Sequence, residues 1–253
     1  MPIEYSNDYL LDKQVKILQP INGYRASSDA VLLSAMVCSC EHKVRILDVG
    51  SGTGAISLCL AQRLQNNTVD ICGIELQPEL VELSQMSAKA NNFSFLHYYQ
   101  GDIRQKLKDE ALRACSFDIV VTNPPYAHKD MPSPNDSKAA AHNLQQMDLS
   151  DWMAFCLKMA KPFGKIYVIN RAEALPKICV SLSGKAGGIT VLPIYSKSAQ
   201  SAKRVIVTAQ KDSKAPCKIL PPFMVHDNDG KYTAQAQQIL RQGTDFSEVL
   251  EMI

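Results

Sequence analysis

At 253 residues, 46% hydrophobic and 21% charged, the chain has the make-up of an ordinary globular protein, long enough to bury a full core as one large α/β domain or two small ones. No stretch approaches the roughly 18 to 20 continuous apolar residues of a membrane helix, and Met1 to Leu10 lacks the basic, apolar and small-residue zones of a signal peptide. A cytoplasmic protein that meets no membrane is therefore expected. The formal net charge of +2 hides an asymmetry: residues 1–156 carry 13 Lys+Arg against 18 Asp+Glu, residues 157–218 carry 12 against 2, and residues 219–253 carry 2 against 5. Such a basic block is either a solvated face with lysines at helix ends or the electrostatic footprint of a polyanion such as RNA. The eight cysteines are scattered, with only Cys38 and Cys40 close together, and neither they nor the five histidines show the spacing of a metal site. No metal is expected.

In chain order, a polar start gives way to a short apolar run, a Pro-Ile-Asn-Gly turn at residues 20–23, and a helix opening at Ser28 with Asp29 in its first turn. Buried strands follow at Arg45–Val49 and Val69–Glu75, with a helix from Ala55 to Gln65 between them. A second helix opens at Pro78, where proline suits the first turn, and runs to Asn91. Phe95–Gln100, Ile119–Thr122 and Ile166–Ile169 read as further strands, the last preceded by a helix over Leu149–Ala160. A helix over 172–183 leads to strands at Thr190–Ile194 and Val205–Ala209. Repeated βα units of this kind predict an α/β fold, a mostly parallel seven-stranded sheet with helices on both faces and ligands at the carboxyl ends of the strands. No linker splits the chain, so one domain over 1–253 is expected, with a core at 44–210 and extensions at 1–43 and 211–253. The stretch from Pro124 to about Asp148 is a long loop without periodicity, a feature that in compact domains is usually functional or disordered.

Two motifs sit at the predicted ligand end. The first, "ILDVGSGTGAISLCLA", is a strand ending in Asp48 followed by Gly50-Ser51-Gly52-Thr53-Gly54 and at once a helix. Its glycines permit positive φ and a close approach of backbone N–H groups to a ligand, and Glu75 ends the next strand, where a carboxylate can accept from ribose hydroxyls. The loop is one residue tighter in its second half than the dinucleotide fingerprint. Asp48 before it would repel a pyrophosphate but suits a ligand with a cationic end. The second motif is Asn123-Pro124-Pro125-Tyr126 after the strand at 119–122. A planar exocyclic amine is a poor nucleophile because its lone pair is delocalised. The Asn123 side-chain oxygen and the Pro124 carbonyl could each accept one of its N–H groups as nitrogen becomes tetrahedral, Pro125 would lock the loop, and Tyr126 would either stack on a planar substrate or pack as an ordinary aromatic.

The Asp48 to Gly54 stretch resembles the first motif of the class I S-adenosylmethionine-dependent methyltransferases, which have a Rossmann-like fold. That resemblance implies S-adenosyl-L-methionine as cofactor, leaving S-adenosyl-L-homocysteine as product. It implies further that Gly50, Ser51, Gly52, Thr53 and Gly54 wrap the methionine part beside Asp48. Glu75 would hold the ribose with Leu76 next to it, and Asp102 would approach the adenine amino group with Ile103 beside it. Asn123 would border the cofactor as well. Taken alone, Asp102 reads equally as a loop or helix-cap aspartate. Asn123 to Tyr126 resembles the motif of amino methyltransferases acting on adenine N6, cytosine N4 or a glutamine side chain.

With "VKILQPINGYRASSDAVLLSAM" before these motifs and "GKYTAQAQQILRQG" after them, the chain from Gln14 to Gly243 resembles the bacterial valine-tRNA adenine-N6 methyltransferase family, which modifies the adenosine at tRNA position 37. The resemblance implies a monomer acting on tRNA without metal. Lys197, Lys203 and Arg204 of the basic block would grip phosphates, and an adenine in a single-stranded loop would be extruded to reach the cofactor. The chain departs from many relatives in having Ala127 after the tyrosine and Ala141-His142-Asn143 where they carry Arg-His-Glu. A protein glutamine methyltransferase, a methyltransferase of ribosomal RNA and a non-catalytic RNA-binding protein on the same fold are the alternatives. Only 43 residues precede the first core strand, too few for the helical domain that glutamine methyltransferases carry, and the glycine loop and Asn-Pro-Pro-Tyr motif are both intact.

Overall fold

The computed structural model describes residues 3–23, 25–37, 43–65, 68–125 and 147–250. Strands β1 (Tyr5–Leu10) and β2 (Val15–Pro20) form an antiparallel hairpin. Sequence reading missed β1, because it is polar and half-exposed along its length, with Tyr9 on the surface. β2 supplies what β1 lacks, burying Val15, Ile17 and Leu18. Helix α1 (Ser28–Ala35) starts where Ser27 accepts the backbone N–H of Asp29, an N-cap that satisfies one of the orphan donors of the first turn.

The seven strands read from the sequence are all present: β3 (Val44–Val49), β4 (Val69–Glu75), β5 (Leu96–Gln100), β6 (Phe117–Thr122), β7 (Ala160–Arg171), β8 (Ala186–Tyr195) and β9 (Arg204–Lys211). Two strands of two residues, β10 (Lys218–Ile219) and β11 (Phe223–Met224), join the edge beside β8 and bring the sheet to nine. The order is β10-β8-β9-β7-β6-β3-β4-β5, parallel except for β9, which runs against both of its neighbours. β3 lies between β4 and β6, so the chain winds outward in both directions from it. The crevice at the carboxyl ends of β3 and β6 is the topological switch point at which open α/β sheets bind ligands.

Alternating side chains of the strands feed two cores. Ile46, Ile119, Val121, Tyr167 and Ile169 pack with α1, α2 (Ala55–Arg63) and α3 (Pro78–Ala90). Leu47, Val49, Val120, Ile166 and Val168 pack with α4 (Leu149–Met159) and α5 (Leu175–Leu182). The 172–183 helix is in fact a 3-10 turn at Ala172–Ala174 followed by α5, because Pro176 fits only the first turn of a helix.

Both extensions are tied to this body. The Asn91 side chain bonds both N–H and C=O of Lys16 in β2. Arg63 donates to the carbonyls of Ile239, Gly243 and Thr244, holding the short helices α6 (Ala234–Gln237) and α7 (Phe246–Val249) near α1 and α2. No helix among the described residues is long and apolar enough to cross a membrane.

Candidate active site

The loop after β3 is folded by its own backbone. The N–H groups of Gly50 and Ser51 both reach the carbonyl of Ile74 on β4, at 2.9 and 3.0 Å, and Gly54 N–H closes on Ser51 at 2.8 Å before α2 begins. Gly50, Gly52 and Gly54 all have positive φ. Their reasons for being glycine differ. A Cβ on Gly50 would stand 2.7 Å from the Trp152 ring and one on Gly54 2.1 Å from the Tyr98 hydroxyl, whereas one on Gly52 would meet nothing within 4 Å. Gly52 faces the open space of a cavity.

That cavity, about 280 Å³, is walled by Gly50 to Thr53, by Glu75 to Gln77 at the end of β4, by Gly101 and Ile103 after β5, and by Asn123, Pro124 and Pro125 after β6. Ala26 and Ala30 close it from the N-terminal side, and Ile56, Leu80 and Trp152 from the helices. The structure thus brings together ten of the residues singled out from the sequence, drawn from four separate strand ends. The Glu75 carboxylate is buried, with Oε2 accepting from Gly52 N–H and Oε1 from Gln77 N–H, each at 3.0 Å. Burial raises its pKa against those bonds, and each oxygen can accept one further bond, as a ribose diol requires.

Asp48 lies beneath the loop rather than in the cavity wall. It is fully buried, and its Oδ2 accepts from the backbone N–H and the hydroxyl of Ser57, at 3.2 and 2.7 Å. Desolvation pushes its pKa up to about 7, the Ser57 bonds pull the other way, and nearby Glu75 adds to the rise. Two buried polar atoms here, Asp48 Oδ1 and Ser51 Oγ, lack a hydrogen-bond partner among the described residues. Unsatisfied polar atoms beside a cavity of this kind suit a ligand that brings its own donors. None of the described lining residues is Lys, Arg or His, so a pyrophosphate would find no cation here, and a nucleoside with a cationic tail fits better.

Asp102 is placed differently from the expectation. Gly101 and Ile103 line the cavity but Asp102 does not, because its carboxylate turns to the Arg104 guanidinium, which donates to both oxygens at 2.7 to 3.1 Å. Arg104 holds the Asp102 carboxyl below its ordinary value. The second motif does lie at the cavity. β6 ends at Thr122, paired with Val49 of β3, so Asn123 follows directly beside the glycine loop, with Pro124 buried and Pro125 exposed. Tyr126, like His142, lies outside the described residues.

Trp152, the only tryptophan of the chain, was not picked out from the sequence. It is buried under Gly50, and its Nε1 donates to Thr122 Oγ1, which in turn donates to the Val49 carbonyl, both at 2.8 Å. The two motif loops are thereby locked to one another. Its signal was the amphipathic pattern of 149–159, which marks a core face without saying that the face reaches a ligand. Leu80 and Ala30, which also line the cavity, were missed for the same reason.

Of the basic residues, Lys203 is exposed and Lys197 half-exposed, while Arg204 is paired with Asp29 of α1 at 2.9 Å. Arg204 opens β9 opposite Arg171, which places all three at the carboxyl rim of the sheet, the rim that holds Asn123. Among the described residues, no group of His, Cys, Asp or Glu could hold a metal ion.

Comparison with known proteins agrees with this geometry. Residues 41–210 match the family model of a methyltransferase domain. A tRNA1(Val) (adenine(37)-N6)-methyltransferase of Actinobacillus pleuropneumoniae serotype 7 is 30% identical over 90% of this chain and 94% of its own length. Its namesake in Haemophilus influenzae strain PittGG is 28% identical over 87% and 91%. In fold, the chain matches the crystal structure of a predicted O-methyltransferase, Atu636 of Agrobacterium tumefaciens, with a TM-score of 0.70 at 23% identity, over 86% of this chain and 97% of that one. The chain is an S-adenosylmethionine-dependent methyltransferase, and it belongs to the family of the tRNA1(Val) (adenine(37)-N6)-methyltransferases.

Proposed function

We propose that the protein methylates N6 of an adenosine in tRNA, the one at position 37 beside the anticodon of a valine tRNA, and does so in the cytoplasm. One observation supports this above the rest: Asn123 and Pro124 line the same cavity as Gly50 to Thr53 and Glu75, so an amine held by the motif would face the cofactor. S-adenosylmethionine supplies an electrophilic methyl group on a sulfonium. The chain then has three tasks: to grip the ribose through Glu75, to exclude water with Trp152, Leu80 and Ile103, and to accept the two N–H bonds of the adenine amine on Asn123 and the Pro124 carbonyl. Holding both N–H groups frees the nitrogen lone pair and fixes it in line, an orienting effect with no covalent enzyme intermediate.

Adenine is favoured over a protein glutamine because the rim next to Asn123 carries Lys197 and exposed Lys203, which suit phosphates. Asp102 would meet the cofactor adenine only after giving up part of its bond to Arg104. A valine tRNA transcript and its counterpart with guanosine at position 37 test the position. Methylation of the first alone is expected, and equal methylation of both would move the target to another adenosine.

A further inference from the structure

The register of the sheet divides the basic block. Arg171, Lys197, Lys203 and Arg204 are at the carboxyl rim, but a larger group of lysines is at the opposite end, around Phe163. Phe163 lies where the pairing of β7 with β6 shifts register, between Ala160 opposite Phe117 and Lys165 opposite Ile119. Its φ is +60°, a region in which a bulky side chain is disfavoured and glycine is at ease, and the residue is 64% exposed. The neighbouring Gly164 has a packing reason for its identity, since a Cβ there would press on the Lys161 carbonyl at 2.9 Å. Phe163 has none. Its carbonyl accepts from Gln210 Nε2 at 3.0 Å, and its ring belongs to neither hydrophobic core. A largely exposed ring outside both cores, on a backbone that favours glycine, points to something outside the fold.

Ion pairs and backbone hydrogen bonds gather the surrounding charge. Lys161 pairs with Asp118, Lys211 Nζ donates to the Ala160 carbonyl, and Lys165 is exposed opposite Gln210. The Lys158 carbonyl accepts from Cys115 and the Lys185 carbonyl from Asp212, with Lys214 exposed two residues beyond. Six lysines gather at this end of the sheet with one exposed ring, and the acids bonded to them are Asp118, through Lys161, and Asp212, through the Lys185 carbonyl. A positive surface with an aromatic platform at its centre matches single-stranded nucleic acid, whose phosphates take the cations and whose bases have a π-face. The patch is roughly 20 Å from Asn123, about the length of the six-residue strand β6.

We propose that this face docks a second, unpaired stretch of the RNA substrate, with a base on Phe163 and phosphates on Lys165, Lys211 and Lys214. The proposal rests on the tRNA reading above, and it assigns this end of the sheet to a part of the RNA distant from the target adenosine. Binding of labelled tRNA by Phe163→Gly and by the double variant Lys165→Glu/Lys214→Glu tests it. Phe163→Gly should weaken tRNA binding about tenfold, the loss of one stacked base, while thermal stability holds or rises and cofactor affinity is unchanged. The double variant should lower the salt dependence of binding. A short anticodon stem-loop, which lacks the other unpaired stretches of the tRNA, should bind wild type and Phe163→Gly alike.

If Phe163→Gly binds tRNA as wild type does, or loses as much affinity for the stem-loop as for tRNA, the inference is overturned. Failure of the tRNA reading looks different: a wild-type protein that binds tRNA on this patch without methylating it would refute the reading and leave the patch standing.

Discussion

Two side chains carry the chemistry that the residue scale can test. Asn123 is given the task of holding an amine that does not exist until substrate arrives, so its loss should spare the cofactor. Asn123→Ala is expected to lower kcat by about 10²–10³, as removal of an oriented hydrogen-bonding group does elsewhere, with cofactor affinity within about threefold of wild type. Single-turnover rates beside calorimetric cofactor binding would check this, and equal turnover in the variant would remove the assignment. Asp48 makes a prediction about pH. Its carboxyl is raised from an ordinary value of 3.8 to about 7 by burial. Between those values the folded, ligand-free protein holds a proton that the unfolded chain has lost, so this group's contribution to stability falls as pH rises through the window. A cationic ligand favours the ionised form. Affinity for S-adenosylmethionine should therefore climb toward pH 7, by at most tenfold per unit, with proton release on binding. Asp48→Asn should flatten that climb. An affinity in the wild type that does not change between pH 5 and pH 8 would show that Asp48 does not titrate with the ligand.

At the scale of elements, the glycine loop offers a contrast between folding and binding. Gly54→Ala forces a methyl to within 2.1 Å of the Tyr98 hydroxyl, in a backbone region with φ near +84°, and should lower the thermal midpoint strongly. Gly52→Ala meets no atom and suffers only the left-handed backbone, about 1 kcal/mol, but projects into the cavity and should cost cofactor affinity instead. Thermal melts with and without cofactor separate the two, and equal losses of stability in both variants would contradict the contrast. Which elements the sequence could reveal has a physical pattern. Strands β3, β4, β6, β7 and β9 were legible because a central run of each is buried on both faces and reads as apolar, whereas β5 alternates buried and exposed residues, and the two motif loops were legible because glycine and proline punctuate the strand ends. Polar β1 gave no such signal, since only its partner β2 reaches the core. Trp152 and Ala30 read as core residues, which they are, and only the folded chain shows that the same core touches the ligand space. The rotation of Asp102 toward Arg104, two residues on, is a competition between local partners that motif spacing does not record.

The whole molecule sets charge against geometry. Residues 157–218 form one basic block in the sequence, but strands that run there and back send its lysines to both ends of the sheet, and Arg204 is held by Asp29 as part of the fold. The carboxyl rim keeps Lys197 and exposed Lys203, proposed to meet RNA beside Asn123, and the opposite end keeps the larger share around Phe163. Hairpin β1–β2 and the C-terminal helices are fastened to α3, α1 and α2, so the wall that Ala26 and Ala30 give to the cavity depends on segments outside the methyltransferase core. The proposed reaction is the transfer of a methyl group from S-adenosylmethionine to an adenine amine in tRNA. The direct measurement is to incubate the purified protein with S-adenosylmethionine and unmodified tRNA, digest the RNA to nucleosides, and look for N6-methyladenosine by mass spectrometry. The account predicts that this nucleoside appears and that it is absent with Asn123→Ala. Cofactor binding without any methylated nucleoside in the tRNA would contradict it and send the search for the acceptor to ribosomal RNA or a protein glutamine.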